Sequence, residues 1–433
     1  MTSRTAIVRA GTLAWLSVLL STSTVGAQGR GGRPPARPRV TVIDSVTVVD
    51  VAQRKLVPGQ RIVLRGDSIT SVQPVSAAAP DSIDVRINGR GAFAIPGLVD
   101  HHVHLTSGMS RMLTQAARGG VTMVQALAGD NRIAGEYARM VSAREMPGPE
   151  ISYASVMAGP DFFNDPRFID AGLGYKPGTA PWAQAVTAQT DVVVAVAAAR
   201  GSGAEVLKLY AMLDSALVAR LTAEAHRQGM TVVAHGTVFP ARPLQMVQGG
   251  VDILTHAPYL SWQGAQTIVP EDSRNRAKGP YDSVPVNGAV ITSLISAMQR
   301  AGTYLEPTLF VFARQTAEKA MNDWAAALTI KARDAGIPII AGTDGLIDGD
   351  STALPNVHKE LQLLVKAGMT PAEALAAATI VPARAMKRER THGAIAAGRV
   401  ADIVLLEANP LEDISATTRI RQVILRGVAL RKP

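Results

Sequence analysis

The sequence predicts an α/β fold: a (β/α)8, or TIM, barrel carrying a small composite β-sandwich built from its N- and C-terminal segments. Three features predict it. Eight short apolar runs lie between Pro96 and Arg390, helical segments separate several of them, and the stretches on either side alternate with the period of half-buried strands. A chain of 433 residues with 47% hydrophobic content can bury a large core and exceeds one ordinary domain in length.

Residues 1–27 read as a secretory signal peptide. Arg4 and Arg9 precede an apolar run from Ala10 to Leu20, and small residues lead to Val25-Gly26-Ala27, with cleavage expected after Ala27. The run is too short to span a bilayer, and no later stretch approaches the ~20 apolar residues a membrane helix needs. Secretion is therefore expected, with the periplasm as the compartment. Residues 28–39, which include "GRGGRPPARPR", read as a flexible basic linker. With no cysteine, the chain has no disulfide, thiolate ligand or thiol nucleophile, so any metal must sit on nitrogen and oxygen. Residues 1–39 hold six of the 44 basic residues and none of the 35 acidic ones, leaving 38 against 35 in the body. The net charge of +9 is thus no sign of a nucleic-acid partner.

Residues 40–95 carry alternating runs such as "VTVIDSVTVVDV" and "QRIVLRGDSITSVQ", broken by Gly, Pro and Asp, and form the N-terminal part of the sandwich. Residues 391–433 return to the same pattern in "GAIAAGRVADIVLLEANP" and "IRQVILRGVAL" and supply its C-terminal part. Between them, residues 96–390 hold the barrel runs "PGLVDHHVHL", "VTMVQAL", "EISYAS", "EVLKLYA", "TVVAH", "VDILTH", "TYLEPTLF" and "IPIIAGTD". Helical segments such as "SALVARLTAEAHRQG" and "VITSLISAMQRAG" precede the fifth and seventh. An open doubly wound sheet is the competing architecture, and the strand count favours the barrel.

The chemistry-bearing residues sit where a barrel would use them. Side chains alternate along a strand, so His102 and His104 share one face, with Val103 and His101 on the other. Lys208 lies in "VLKLY", His235 closes "TVVAH", His256 closes "DILTH" and Asp344 closes "IIAGTD". The C-terminal ends of barrel strands form one face, so these groups should converge there. Four imidazoles and a carboxylate make a nitrogen and oxygen site for which zinc is the leading metal. Burial would lower the pKa of Lys208 and free a neutral amine able to capture carbon dioxide as a carbamate. Tyr210 shares the inward face with Lys208 and is a candidate substrate contact, as is His358 after the last strand. His226 and His392 read as helix-surface and turn residues.

Together "PGLVDHHVHL", the lysine of "KLY", "AHG", "LTHAP", "AGTDG" and "GRVADIVLLEANPLEDI" resemble the amidohydrolase superfamily, in its imidazolonepropionase-like and prolidase-like branch. The resemblance covers the chain after the linker. It implies one metal on His102, His104 and Asp344, a second on His235 and His256, and a carboxylated Lys208 bridging two Zn2+ about 3.5–4 Å apart. It further implies a shared hydroxide as nucleophile, with Asp344 moving the proton to the leaving nitrogen. The expected substrate is a small amide or dipeptide, cleaved at a C–N bond as by an Xaa-Pro dipeptidase or an N-acyl amino acid hydrolase. A cyclic amide or an imidazolone ring hydrolysed with one metal, lactone or ester hydrolysis on the same site, and a non-catalytic periplasmic binding protein remain alternatives. Oligomeric state is left open, with no stable membrane insertion expected.

Two departures from the family's pattern stand out. Gln125 and Ala126 are read as ending the second strand where relatives often carry an Arg-Asp pair, so substrate contacts there do not carry over. The stretches from Gly159 to Trp182 and from Pro258 to Pro285 are long for barrel loops and make candidate lids, with Phe162, Phe163, Tyr259 and Trp262 available to line a pocket or cap the barrel.

Overall fold

The computed structural model describes residues 37–268, 279–315, 318–349 and 352–430. The expected signal peptide and residues 28–36 of the linker lie outside these residues. No helix among the described residues is long and apolar enough to cross a membrane.

The barrel is built from parallel strands. β6 (Leu98–Leu105), β7 (Val121–Gly129), β8 (Glu150–Ala158), β11 (Val206–Leu209), β12 (Thr231–His235), β13 (Ile253–Thr255) and β14 (Tyr304–Glu306) pair in that order. The eighth run closes the ring without forming a regular strand. Leu305 bridges Ile339 in parallel, and on the other side the His101 N–H donates to Ala341 O at 3.2 Å and the Asp344 N–H to His102 O at 2.8 Å. Pro338, which has no N–H to give, interrupts the ladder there. Between β8 and β11, the short strands β9 (Thr179–Ala180) and β10 (Ala183–Ala185) form an antiparallel pair whose second member runs beside β8.

The interior of the barrel explains why polar side chains gather at one end. Leu127, Ala154, Val206, Val233 and Ile253, from five strands, and Ile340 of the closing segment form an apolar layer across the barrel. Two residues further along β11, β12 and β13 the same inward face carries Lys208, His235 and Thr255, with Glu306 beside them on β14, so this side of the next layer is polar.

The second sheet unites both chain ends, as expected from their shared pattern. Its order is β17 (Val428–Ala429), β16 (Ile420–Leu425), β15 (Ile403–Leu406), β5 (Phe93–Pro96), β1 (Val40–Asp50), β2 (Lys55–Arg65) and β3 (Ser68–Pro74), with β4 (Val85–Asn88) beside β1. It is one continuous sheet curled over a core of its own that includes Ile43, Val46, Ile62, Ala94, Ile403 and Leu405. Alternate residues, among them Ile95, Val404 and Leu406, belong to the main core shared with the barrel strands and helices.

Candidate functional site

The polar layer opens into one site. His104 Nε2 lies 2.7 Å from Asp344 Oδ1, and His102 Nε2 lies 3.7 Å from the same oxygen. The ring of His102 is 5.4 Å from that of His104 and 4.9 Å from that of His256, which in turn is 4.6 Å from His235. Lys208 is buried beneath them and its Nζ donates to Thr255 Oγ1 at 3.0 Å. All six residues singled out from the strand ends therefore meet at one end of the barrel, although they span more than 240 positions.

Each ring is fixed through its second nitrogen. His102 Nδ1 is 2.8 Å from Glu306 Oε2, His235 Nδ1 is 2.8 Å from Thr237 Oγ1, and His256 Nδ1 is 2.8 Å from Thr308 Oγ1. Such contacts set ring orientation and tautomer. His256, Thr308 and Asp344 have φ of 68°, 50° and 52°, left-handed values that non-glycine residues hold only where the surroundings impose them, at ~1–3 kcal/mol each.

Glu306 was not among the groups anticipated from the sequence. It is fully buried and bonds two imidazoles at once, His102 through Oε2 and His101 Nδ1 through Oε1 at 2.7 Å. Alternation along β6 placed His101 on the opposite face from His102. Irregular register between Asp100 and Val103 breaks that alternation and turns both rings toward one carboxylate. The signal for Glu306 was the dipeptide Glu306-Pro307, because proline ends the strand and leaves the glutamate at the same height as the other strand-end groups.

The electrostatics favour free imidazole nitrogens. Burial pushes His102 and His256 down from the ordinary histidine range, His256 well down with help from His102, so both present lone pairs at neutral pH. Burial opposes ionisation of Glu306, but the His102 and His101 imidazoles outweigh it and hold the carboxyl below its usual range. Asp344 behaves alike: burial would raise it, and His102 and His104 keep it well below the ordinary carboxylate value. Burial lowers Lys208 to about 8, against the opposing pull of Glu306 and Asp344. Ligand atoms of His102, His104 and Asp344 all lie within 4.8 Å of one another. Imidazole nitrogen with carboxylate oxygen, in a neutral-histidine setting, fits a divalent ion such as zinc.

The model of the amidohydrolase family matches residues 93–430. The chain belongs to the amidohydrolase family. An imidazolonepropionase of Chromobacterium violaceum is 33% identical over 141 residues, which are 31% of this chain and 32% of that relative, so the match spans about a third of its length. Among solved structures, a Xaa-Pro dipeptidase with methionine in its active site superposes with a TM-score of 0.69 at 20% identity, over 90% of this chain and 100% of that one. Ochratoxinase of A. niger gives a TM-score of 0.70 at 20% identity, over 92% and 96%. At these identities the two structures bear on the fold.

In this amidohydrolase a cavity of about 540 Å³ leads from solvent to His102, His104, His256 and Asp344. Tyr210 lines it and stacks on His235 at 4.4 Å, as its shared face with Lys208 implied. The loop after β8 forms one wall through the helix Pro166–Ala171, whose Phe168 packs on Phe162 at 4.7 Å and on Tyr210 at 6.0 Å. Phe162 and Phe163 are buried behind that wall, and Trp262 packs on Phe239 rather than on the cavity. Tyr259 sits against His235 and His256. Part of the loop after β13, residues 269–278, lies outside the described residues.

His358 does not line the mouth. Its Nε2 is 2.9 Å from Gly119 O and its Nδ1 3.1 Å from Thr417 Oγ1, because the helix Val357–Ala367 turns that face toward the chain ends instead of the cavity. Gln125 does not end the second strand either: β7 continues to Gly129, leaving Gln125 two residues below Leu127 of the apolar layer. Ala128, Gly129 and Asp130 take the place at the mouth. His226 pairs with Asp252 on the surface, and His392 lies beside Thr391 and Glu150.

Proposed function

We propose that the protein is a secreted, metal-dependent hydrolase of C–N bonds in small amides or dipeptides. The observation that carries the reading is the meeting of His102, His104 and Asp344 within 4.8 Å at the mouth of a barrel, with His235, His256 and Lys208 below them. His102, His104 and Asp344 would hold one divalent ion and His235 and His256 a second, with Lys208, as a carbamate, a further ligand. Such ions, zinc foremost, acidify water and withdraw electrons from a carbonyl.

The chain's own groups supply the rest. Asp344, ionised at neutral pH, takes the proton of the attacking water and passes it to the nitrogen as the C–N bond breaks and the new C–O bond forms. Glu306 and Thr308 hold the rings of His102 and His256 in place while this happens. Tyr210 and Phe168 give the acyl or amine portion an apolar wall. Secretion would leave a mature chain beginning at Gln28.

A second reading has an observation of its own. The three-residue group closes without Lys208, whose free amine is already bonded to Thr255, and this suits a single ion and a cyclic amide substrate. A panel of dipeptides, N-acyl amino acids, cyclic amides and lactones, assayed with added zinc or cobalt, tests both. Turnover of linear amides that falls at least ~100-fold in Asp344→Asn supports the first reading. Turnover of cyclic amides alone supports the second, and no turnover by the metal-loaded wild type refutes both.

A further inference from the structure

The lining of the cavity includes a charge that the proposed chemistry does not use. Among the described residues that line the cavity, Arg167 is the one Lys or Arg. It belongs to the helix Pro166–Ala171, whose capping residue Asp165 accepts the Arg167 backbone N–H at 3.0 Å. The same carboxylate grips one edge of the guanidinium: Nε at 3.0 Å from Oδ1 and Nη2 at 2.5 Å from Oδ2. No protein group among the described residues bonds Nη1, and the side chain is about half exposed.

This arrangement orients a cation without closing it off. Asp165 fixes the plane of the guanidinium, and Phe168, next in sequence, anchors the helix to Tyr210, which stacks on His235. The free edge of Arg167 thus belongs to the same cavity as His102, His104, His256 and Asp344. That cavity of about 540 Å³, with Leu105, Ala128 and Ile133 on its sides, has room for an amide with substituents on both the acyl and the amine portions.

We infer that Arg167 receives a carboxylate on the amine portion of the substrate, so that the enzyme acts on N-acyl amino acids or dipeptides rather than on neutral amides or lactones. The inference rests on the proposed hydrolase activity and narrows its substrate class. A planar guanidinium with two N–H groups free on one side suits a carboxylate, and a lysine would give charge without that geometry. The loss of one partner to Asp165 limits the strength of the contact, so the preference is expected to be tens-fold.

The test compares each N-acyl amino acid with its carboxamide, which differs only in the charged group. Wild type should show kcat/KM at least ~10-fold higher for the acid, ~1.4 kcal/mol, carried by KM. In Arg167→Met that ratio should fall toward one, and Arg167→Lys should keep part of it. Binding of the same pair, measured by titration calorimetry on the metal-loaded Asp344→Asn protein, reads the carboxylate contact independently of turnover. Equal wild-type kcat/KM for acid and carboxamide, or an acid preference that survives in Arg167→Met, overturns the inference while leaving the hydrolase reading intact. Discrimination in binding with no turnover of either compound by wild type supports the carboxylate contact and refutes the hydrolase reading.

Discussion

At the scale of single residues, the strand-end groups were legible because each polar side chain interrupts or closes an otherwise apolar run, and burial of a charge there needs a purpose. Lys208 shows this most sharply, being almost wholly buried in the middle of "VLKLY". What escaped was anything whose partner is distant in sequence. His358 gave no local sign that it would bond Gly119 and Thr417, and nothing near Glu306 announced its two histidines. The environment of His358 has a measurable consequence. Burial lowers its pKa to about 4 from 6.5, so between those values the unfolded chain takes up a proton that the folded chain does not. Stability from this group is therefore complete above ~6.5 and lost as pH falls toward ~4, an effect on the order of 3 kcal/mol. Urea unfolding of wild type and His358→Gln should show a stability gap favouring wild type more at pH 7 than at pH 4.5. A gap independent of pH would show that the ring titrates normally.

At the scale of elements, seven barrel runs became regular strands and the eighth became an extended segment that closes the ring. Buried parallel strands read as short apolar runs without alternation, so their existence was plain and the irregularity of two of them was not. The close approach of the eighth segment to β6 depends on Gly342. A Cβ there would lie 2.6 Å from Glu306 Oε1 and 2.8 Å from His102 Cβ. Gly342→Ala should push the His102–Glu306 pair apart. The expected result is a fold that persists, ~1–3 kcal/mol less stable, with zinc affinity reduced ~10–100-fold. Zinc titration beside a thermal melt checks this, and wild-type affinity in the variant would mean that Glu306 does not position the ring. The helix Pro166–Ala171 was read as loop, although Asp165-Pro166 is a recognisable start signal of cap followed by first-turn proline.

At the scale of the whole molecule, the two chain ends found each other because strands with one apolar face must share a sheet to bury it. β15 makes the connection physical: Ile403 and Leu405 face the core of the curled sheet, while Val404 and Leu406 face the main core. The period-two pattern at both ends announced a common sheet, but not that it would be one continuous surface packed on two sides. The barrel in turn carries groups from Asp344 back to His102 to one place, and on that convergence the proposed chemistry stands. The most direct measurement is the metal content of the purified chain after incubation with zinc, read by elemental mass spectrometry for wild type and Lys208→Ala. About two ions per wild-type chain, falling to one or fewer in Lys208→Ala, is the predicted result. A chain that binds no zinc, or that holds both ions unchanged without the Lys208 side chain, would contradict it.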